Sequence, residues 1–517
     1  MASVGTTLAI PSLVDLTIGC VHSIISKIQT YHHTKELYKD HLEIHDIQAG
    51  QLVICLQFVR DATPSLTQDL NAHLLKTLSR LNRSLEATHA TLDRGIDKEG
   101  NVRRLWYVTL GGSALKRDLD EVEKDQVLFQ RAVQLAALYG GPRVAPYLTE
   151  DRLRGNSALA RVQRLREAIQ SRLNNDTKAP EMLLDRRDIP DGKRKRLPYS
   201  EAQLVMSGVS EFPTALIESR SQNTPDMKKI RDIALILGGT DVSMAMIRCR
   251  GFIPVPDTNR YELLFPLPQN PVRPRTLREL LLSPDNNAGV RFSLNSRVKL
   301  AQRLATAVLF IHTAKLVHKN IRPENIIILE TASASAPDGS DGERALDIGD
   351  SFLMGFDFAR KEDETSTRVG DNEWYRNIYR HPQRQGVHPE VDFNMLHDIY
   401  SLGVVLLEIA LWRSFVLIEK DVYGGLKYAG NREACRFFDR NTGKLKNPYE
   451  IWELFIRRSE TVVAPALGYK YRDTILMCLR CLDGGFGDPA ELADQDGVLM
   501  GLAYIERVLM TLDEIAV

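Results

Sequence analysis

The fold of this chain is decided by one polar stretch that leads directly into an apolar run. The polar stretch is Val317-His318-Lys319-Asn320-Ile321-Arg322-Pro323-Glu324-Asn325, and the apolar run is Ile326-Ile327-Ile328-Leu329. The stretch combines a histidine, three cationic or acidic side chains and two amides within nine positions, a composition typical of a functional loop. An amide such as that of Asn320 cannot take up a proton at neutral pH.

The stretch resembles the catalytic loop of protein kinases, His-Arg-Asp-Leu-Lys-Pro-Glu-Asn. In that loop the Asp accepts the proton of the substrate hydroxyl and the Asn holds a magnesium ion. Asn325 is kept here, whereas Asn320 stands at the Asp position and Arg322 at the Lys position. The resemblance therefore implies that Asn320 and Arg322 are the catalytic-loop positions, and that Asn320 is a degenerate base.

Three further landmarks follow in the order that kinases have them. Gly355-Phe356-Asp357-Phe358-Ala359 resembles the magnesium-binding Asp-Phe-Gly, with Ala359 in place of Gly. Tyr379-Arg380-His381-Pro382-Gln383 occupies the Ala-Pro-Glu position, and Asp398-Ile399-Tyr400-Ser401-Leu402-Gly403 resembles the helix whose buried Asp supports the catalytic loop. The resemblance covers residues 200–517, about 60% of the chain. It implies a bilobal kinase-like fold, with a small lobe over 200–268 and a large lobe over 269–517.

The pattern of elements agrees with this order. Strand patterns alternate with helical patterns in the small lobe, a proline-rich connector follows, and helices dominate afterwards. We predict strands over Thr214–Glu218, Met244–Ile253 and Tyr261–Phe265, helices over Asp226–Leu237, Thr276–Leu282 and Ser293–Thr313, a connector over Pro268–Pro274, and a flexible loop over Thr331–Glu343.

The small lobe lacks the parts that hold ATP in a kinase. No G-x-G-x-x-G precedes the first strands, so the backbone cradle for the phosphates is missing. Arg220 is the best-placed cation for the strand lysine, and the helix over Asp226–Leu237 offers Asp226 and Asp232 but no Glu. The cofactor-binding candidates are thus Arg220, Asn325 and Asp357, and the last two are also the magnesium candidates. Binding of ATP and magnesium, weak or absent, is left open.

Two interpretations of the kinase-like domain follow. Loss of a general base lowers a rate by about 10²–10⁴, and phosphoryl transfer depends on phosphate positioning for most of the remainder. The favoured interpretation is therefore a pseudokinase that regulates the N-terminal part of the chain. The alternative is a divergent ATP-dependent Ser/Thr kinase with a helical regulatory domain.

Residues 1–175 form an all-helical pattern. Leucines recur at heptad-like spacing in its third segment, and a bundle of four or five helices accounts for the periodicity. Between Met1 and Ser26 the only charged side chain is Asp15. This first helix is interpreted either as a core helix or as a helix that enters a membrane surface.

Residues 176–199 are predicted to be a polar linker. They contain three prolines and the basic run Lys193-Arg194-Lys195-Arg196. The run is interpreted as a solvated connector, with a nuclear-import signal and a lipid-attracting patch as alternatives. The fold class predicted for the whole chain is thus α+β and multidomain, with an N-terminal all-α bundle before the kinase-like fold.

The composition is that of an ordinary globular protein. Of 517 residues, 43% are hydrophobic and 26% are charged, and the formal net charge is zero, so no nucleic-acid partner is expected. Six cysteines are too few for a disulfide framework, and no secretory signal is recognised, so the cytoplasm is the expected compartment.

The combination of an apolar-led helical bundle, a basic linker and a degenerate kinase domain resembles a known architecture. It is similar to fungal proteins that join a HeLo-type (prion-inhibition and propagation) domain to a kinase-like domain, and in plan to mixed lineage kinase domain-like proteins. That resemblance implies a membrane-perturbing or death-inducing bundle that the kinase-like domain senses and releases. It also implies self-association or protein partners through the bundle, and recruitment from the cytoplasm to a membrane surface. A third interpretation is that the chain is a scaffold whose domains only bind other proteins.

Overall fold

The computed structural model divides the chain into two compact units, Met1–Arg166 and Glu167–Val517. It describes residues 2–32, 39–95, 112–173, 182–186, 194–206, 213–221, 227–240, 242–255, 258–268, 272–283, 292–331, 348–361, 370, 372–420, 426–430, 434–483 and 503–515. Most of the loop predicted over Thr331–Glu343 and most of the predicted linker lie outside these residues.

The first unit is helical, as its periodicity predicted. Thr67 caps the third helix by accepting a hydrogen bond from the backbone N–H of Leu70, and the heptad-like leucines that follow are buried. The first and fourth helices pack against the third. The helices are α1 (Ala2–His32), α2 (Lys39–Ala62), α3 (Gln68–Arg94), α4 (Gly112–Tyr139), α5 (Glu150–Leu153) and α6 (Ser157–Leu173).

The second unit begins with an antiparallel five-stranded sheet in the order β1-β2-β3-β5-β4. One helix, α7, follows the third strand, and the apolar core of the sheet includes Ala215, Ile217 and Leu264. The elements are β1 (Arg194–Arg196), β2 (Gln203–Met206), β3 (Thr214–Ser221), α7 (Met227–Gly238), β4 (Gly251–Val255) and β5 (Arg260–Pro266).

Arg194–Arg196 of the basic run form strand β1 of this sheet, so this part of the predicted linker is a strand and not a connector. Arg194 pairs with Val205 across β1 and β2, and its guanidinium binds the Glu262 carboxylate through both terminal nitrogens, at 2.5 and 3.0 Å. A bidentate pair of this kind offsets the cost of placing an arginine on a half-buried strand. Arg194–Arg196 therefore form an edge strand of the small-lobe sheet.

The large lobe contains a small sheet, β6-β8-β9, and the remaining helices. The strands and helices of this lobe are β6 (Val272–Thr276), α8 (Leu277–Leu281), α9 (Leu294–Thr313), β7 (Leu316–Val317), β8 (Ile326–Thr331), β9 (Asp350–Leu353), β10 (Arg360–Lys361), α10 (Trp374–Asn377), α11 (Met395–Leu411), β11 (Val416–Lys420), β12 (Leu426–Gly430), α12 (Pro448–Arg458), α13 (Ala464–Leu479) and α14 (Met510–Asp513).

Two further predicted elements differ from the structure. The proline-rich connector over Pro268–Pro274 ends in strand β6, where Pro274 is tolerated because β6 is the edge strand of its sheet. The strand predicted over Met244–Ile253 starts only at Gly251, because the chain first makes a short 3₁₀ turn at Val242–Met244. Apolar composition alone does not distinguish a buried turn from a strand.

Helix α11 is the centre of the large lobe. All of its residues from Met395 to Ala410 are buried. Its Gly403 allows a close approach by α13, since a Cβ atom there would lie 2.7 Å from the Cβ of Cys478. The side chain of Cys481 donates to the backbone carbonyl of Leu396. Cys478 and Cys481, which form a C-x-x-C sequence, are therefore part of the packing between α11 and the end of α13.

Candidate functional site: a kinase-like cleft

The polar loop is held by one buried carboxylate. Asp398 on α11 accepts hydrogen bonds from the backbone N–H groups of His318 and Lys319, at 2.7 and 2.8 Å. The first turn of α11 is fixed by a capping box between Asn394 and His397. Because both oxygens of Asp398 are used, the loop has one defined position relative to α11.

The ring of His318 anchors the loop to the segment that follows β9. Its Nε2 is 3.1 Å from the carbonyl oxygen of Met354, and its ring lies 5.0 Å from that of Phe356. Burial lowers the pKa of His318 to about 4, although the charge of Asp398 opposes this shift. The imidazole is consequently neutral at physiological pH and acts as a packing and hydrogen-bonding group.

The predicted site residues of the large lobe lie together in one hydrogen-bonded chain. Asn320 donates through Nδ2 to the Oδ1 of Asp357 at 2.8 Å, and its Oδ1 accepts from Nε of Arg322 at 2.8 Å. Asn325 donates to the backbone carbonyl of Asn320 at 2.7 Å. Burial raises the pKa of Asp357, while the Asn320 hydrogen bond and the charges of Arg322 and Arg220 oppose it. The Asn320 amide thus bridges a carboxyl group and a guanidinium without being able to take up a proton.

The small lobe contributes a residue that the sequence analysis missed, Glu218. It is buried on β3 and accepts hydrogen bonds from the backbone N–H groups of Gly355 and Phe356, the second at 3.0 Å. Burial raises the pKa of Glu218 to about 7, the two N–H donors lower it, and the charge of Asp357 raises it further. A carboxylic acid that is half protonated near neutral pH therefore lies against the start of the Asp357 motif.

The signal for Glu218 was present in the strand sequence. Ala215-Leu216-Ile217-Glu218 has the form of the kinase strand motif V-A-I-K, with a carboxylate at the position of the lysine that pairs with the α- and β-phosphates. β3 is the third strand of its sheet and precedes α7, which is where that motif lies in a kinase. The sequence analysis instead assigned the role of the strand lysine to Arg220, the best-placed cation.

Arg220 lies near the site but contacts backbone. Its Nη1 donates to the carbonyl oxygen of Phe356 at 2.7 Å. Glu218 and Arg220 therefore hold the same segment, one through its N–H groups and the other through its carbonyl. On α7, Asp232 is buried, and Asp226 lies outside the described residues.

The Asp357 motif is packed in a different register from the one expected. The phenylalanine that packs against His318 is Phe356, whose ring also lies 6.3 Å from that of Phe265. Phe358, the phenylalanine of the expected register, is 48% exposed. Gly355, immediately before the buried ring, has a φ of 90°, and a Cβ atom there would lie 2.4 Å from the side chain of Asn325. The space beside Asn325 therefore excludes a side chain at position 355.

The turn between β1 and β2 is the place where a kinase has its glycine-rich loop. Here it reads Leu197-Pro198-Tyr199-Ser200-Glu201-Ala202 and contains no glycine. The backbone N–H of Leu197 donates to the carbonyl of Ala202 at 2.9 Å, and that of Ser200 donates to Leu197 at 3.2 Å. These N–H groups are used within the turn, so they do not form a phosphate cradle.

The residues of the cleft do not fit an ATP–magnesium complex held in the manner of a kinase. A carboxylate stands where a phosphate-binding cation is needed, and the glycine cradle is absent from the β1–β2 turn. Magnesium binds through one or two carboxylates together with substrate phosphates. Asp357 could supply one carboxylate, but it is hydrogen-bonded to Asn320.

A second buried network, also missed from the sequence, connects the loop to the rest of the large lobe. Arg278 at the start of α8 is fully buried and contacts Glu324 and Glu408, each at 3.2 Å, and the hydroxyl of Tyr379 at 2.6 Å. Tyr379 in turn donates to Glu408 at 2.8 Å. The polar loop, α11 and the segment before Pro382 are thus joined through one guanidinium.

The strand order of the small lobe, the Asp398-supported loop and the sequence relatives agree on the architecture. The second unit has a kinase-like fold. The chain is 28% identical over 130 residues to dual specificity protein kinase lkh1 of Schizosaccharomyces pombe, and 30% identical over 131 residues to dual specificity protein kinase CLK1 of Homo sapiens. Each match covers 24% of this chain, and they span only 17% and 25% of the lengths of those kinases. No protein-family model matches the chain.

Two solved structures are similar to part of this chain. The kinase PK-1 of Cydia pomonella granulovirus covers 66% of this chain, with 14% identity and a TM-score of 0.37. The Chaetomium thermophilum CAK complex bound to ATP-gamma-S covers 61%, with 16% identity and a TM-score of 0.34.

Proposed function

We propose that this chain is a signalling protein whose kinase-like unit is a pseudokinase that regulates the N-terminal helical unit. The observation that carries the proposal is the position of Glu218, whose carboxyl group accepts hydrogen bonds from the backbone N–H groups of Gly355 and Phe356. In a kinase the same strand position carries a cation for the nucleotide phosphates. A carboxylate there repels a triphosphate whenever it is ionised.

Two other substitutions act in the same direction. Asn320 provides an amide where a general base is required, and its side chain is already shared between Asp357 and Arg322. In the register defined by the buried Phe356, Gly355 stands at the position of the metal-binding aspartate. One missing group would slow phosphoryl transfer, whereas loss of base, phosphate cation and metal ligand together removes its electrostatic basis.

The alternative, a divergent Ser/Thr kinase, is supported by two observations. The chain has sequence similarity to two dual specificity kinases, and it retains Asn325 and Asp357 within one cluster. In this alternative Asp357 binds magnesium from its shifted position, and the helical unit regulates the kinase.

Phosphate transfer by the purified full chain distinguishes the two functions. We expect radiolabelled ATP with magnesium to label neither the chain nor a Ser/Thr peptide mixture, and an Asp357→Ala variant to give the same background as the wild type. Labelling that exceeds background and disappears in Asp357→Ala would establish the divergent kinase instead.

For the helical unit we propose a membrane-targeting or cell-death effector of the HeLo type. Among the described helices, the segment Ala9–Lys27 of α1 is long and apolar enough to cross a membrane, with a mean hydropathy of 1.5, and only 28% of it is buried. Leu16 on this helix is 67% exposed. An apolar helix with that much exposed surface is suited to a lipid interface.

A further inference from the structure

A second surface of the kinase-like unit, lined by none of the residues of the Glu218 cleft, has the form of a binding site. An open cavity of about 230 Å³ lies beside α12, and its lining residues are Phe415, Arg436, Phe437, Leu454, Phe455, Arg457, Arg458 and Thr461. The volume is sufficient for one or two apolar side chains and smaller than a typical small-molecule pocket. A cavity of this size suits a side chain that anchors a peptide.

The cavity has an apolar floor made of three aromatic rings. Phe415, Phe437 and Phe455 contact one another at ring-centroid distances of 5.3–5.7 Å, and all three are buried. Aromatic rings fixed by mutual packing provide a rigid surface, so an apolar group could enter without a large rearrangement of the floor.

The rim of the cavity is cationic. Arg436 and Arg457 are exposed at its mouth, and Arg458 completes the set. The lining residues that the structure describes include three arginines and no acidic side chain. The whole chain carries no net charge, so this rim is a local concentration of positive charge and not part of a generally basic surface.

The helix next to the cavity is irregular at this point. Ser459–Val463 forms a five-residue π-helical segment between α12 and α13, and Thr461 within it lines the cavity. Such segments are energetically unfavourable compared with α-helix and are found frequently at functional sites. Here the segment lies beside the arginines of the rim.

We propose that this cavity binds an acidic peptide segment of a partner protein. One apolar side chain of the peptide would lie on the phenylalanine floor, and its carboxylates would bind the arginine rim. Protein surfaces that bind peptides usually combine a pocket for an apolar anchor side chain with a polar or charged rim. Arginine forks match carboxylates in bidentate geometry. A nucleic acid would need an extended basic track, which the neutral chain and the small aromatic cavity do not favour.

Selection of random dodecapeptides displayed on phage against the full chain tests this proposal. We expect the enriched peptides to contain Asp or Glu around an aromatic or branched apolar residue. Arg457→Glu should weaken the binding of a selected, fluorescein-labelled peptide by about tenfold or more. Thr461→Trp, which places a bulky ring at the mouth, should also weaken it.

Lys299→Glu is the matched control, since it makes the same charge change at an exposed site on α9. The control should bind the peptide as the wild type does, and all variants should keep the wild-type melting temperature. The proposal is overturned if no acidic peptide is enriched, or if the selected peptides bind Arg457→Glu as tightly as the wild type. Binding of single-stranded poly-dT that is lost in Arg457→Glu, without peptide binding, would replace the peptide by a nucleic acid.

Discussion

At the scale of single residues, the cleft is defined by what replaces each charged group of a kinase. Glu218 stands at a cation position and binds backbone N–H groups, and Asn320 stands at a carboxylate position and binds Asp357. Both side chains are hydrogen-bonded, so the polar groups that replace the kinase residues have partners within the protein. An arrangement with satisfied buried polar groups is stable without a ligand.

Glu218 should make the stability of the kinase-like unit depend on pH. Its folded pKa of about 7 lies above the ordinary value of 4.5, so its contribution is fully present below pH 4.5 and is lost as the pH rises through 7. The difference corresponds to about 3 kcal/mol. In urea unfolding, the wild type should lose about this much stability relative to Glu218→Gln over that range. Glu453→Gln, at an exposed site on α12, should follow the wild type.

The sequence identified Asn320, Arg322, Asn325 and Asp357 as neighbours, because each belongs to an ordered motif. It did not identify Glu218 or Arg278. Glu218 was missed because the search at that position was for a cation, and charge reversal in an otherwise matching strand was not considered. Arg278 was missed because its partners, Glu324, Glu408 and Tyr379, are 46, 130 and 101 positions away in the chain. No local pattern reports such a contact.

At the scale of elements, α11 determines where the polar loop lies. The helix predicted over Ser293–Thr313 is close to the observed bounds of α9, since burial of one helical face dominates the formation of a long apolar periodic segment. The short strands β1 and β6 were not predicted. β1 and β6 form because neighbouring strands supply their hydrogen-bond partners. Neither the basic composition of β1 nor the proline in β6 indicates a strand.

Asp398→Asn should loosen the connection between α11 and the polar loop. The amide can accept from only one of the N–H groups of His318 and Lys319 and directs a donor at the other, so a buried donor is left without a partner. We expect a loss of about 1–3 kcal/mol in unfolding free energy. Asp151→Asn breaks an exposed ion pair with Arg154 and should change stability by no more than about 0.5 kcal/mol. Equal effects of the two substitutions would contradict the anchoring role of Asp398.

At the scale of the whole molecule, the chain joins a helical unit with an apolar first helix to a kinase-like unit with an altered cleft. We propose that the helical unit is the effector and that the kinase-like unit regulates it. HeLo-type identity of the helical unit stays a prediction that membrane binding can test.

The exposed face of α1 should carry any affinity for lipid. Leu16→Glu should reduce sedimentation of the full chain, or of residues 1–175, with vesicles containing anionic lipid, because burial of a carboxylate in the interface is unfavourable. Val127→Glu on α4, also a partly exposed apolar position, is the control and should bind as the wild type does. Identical sedimentation of the two variants, or no wild-type binding, would remove the membrane-targeting proposal.

Glu218 and the residues around it should exclude ATP bound in the manner of a kinase. Calorimetric titration of the purified full chain with ATP and magnesium tests this exclusion most directly. We predict no saturable heat and no rise in melting temperature, whereas ATP at about 100 times its Kd would stabilise the fold by about 2.7 kcal/mol. Saturable, magnesium-dependent binding that is lost in Asp357→Ala would show instead that the cleft binds ATP as a kinase does.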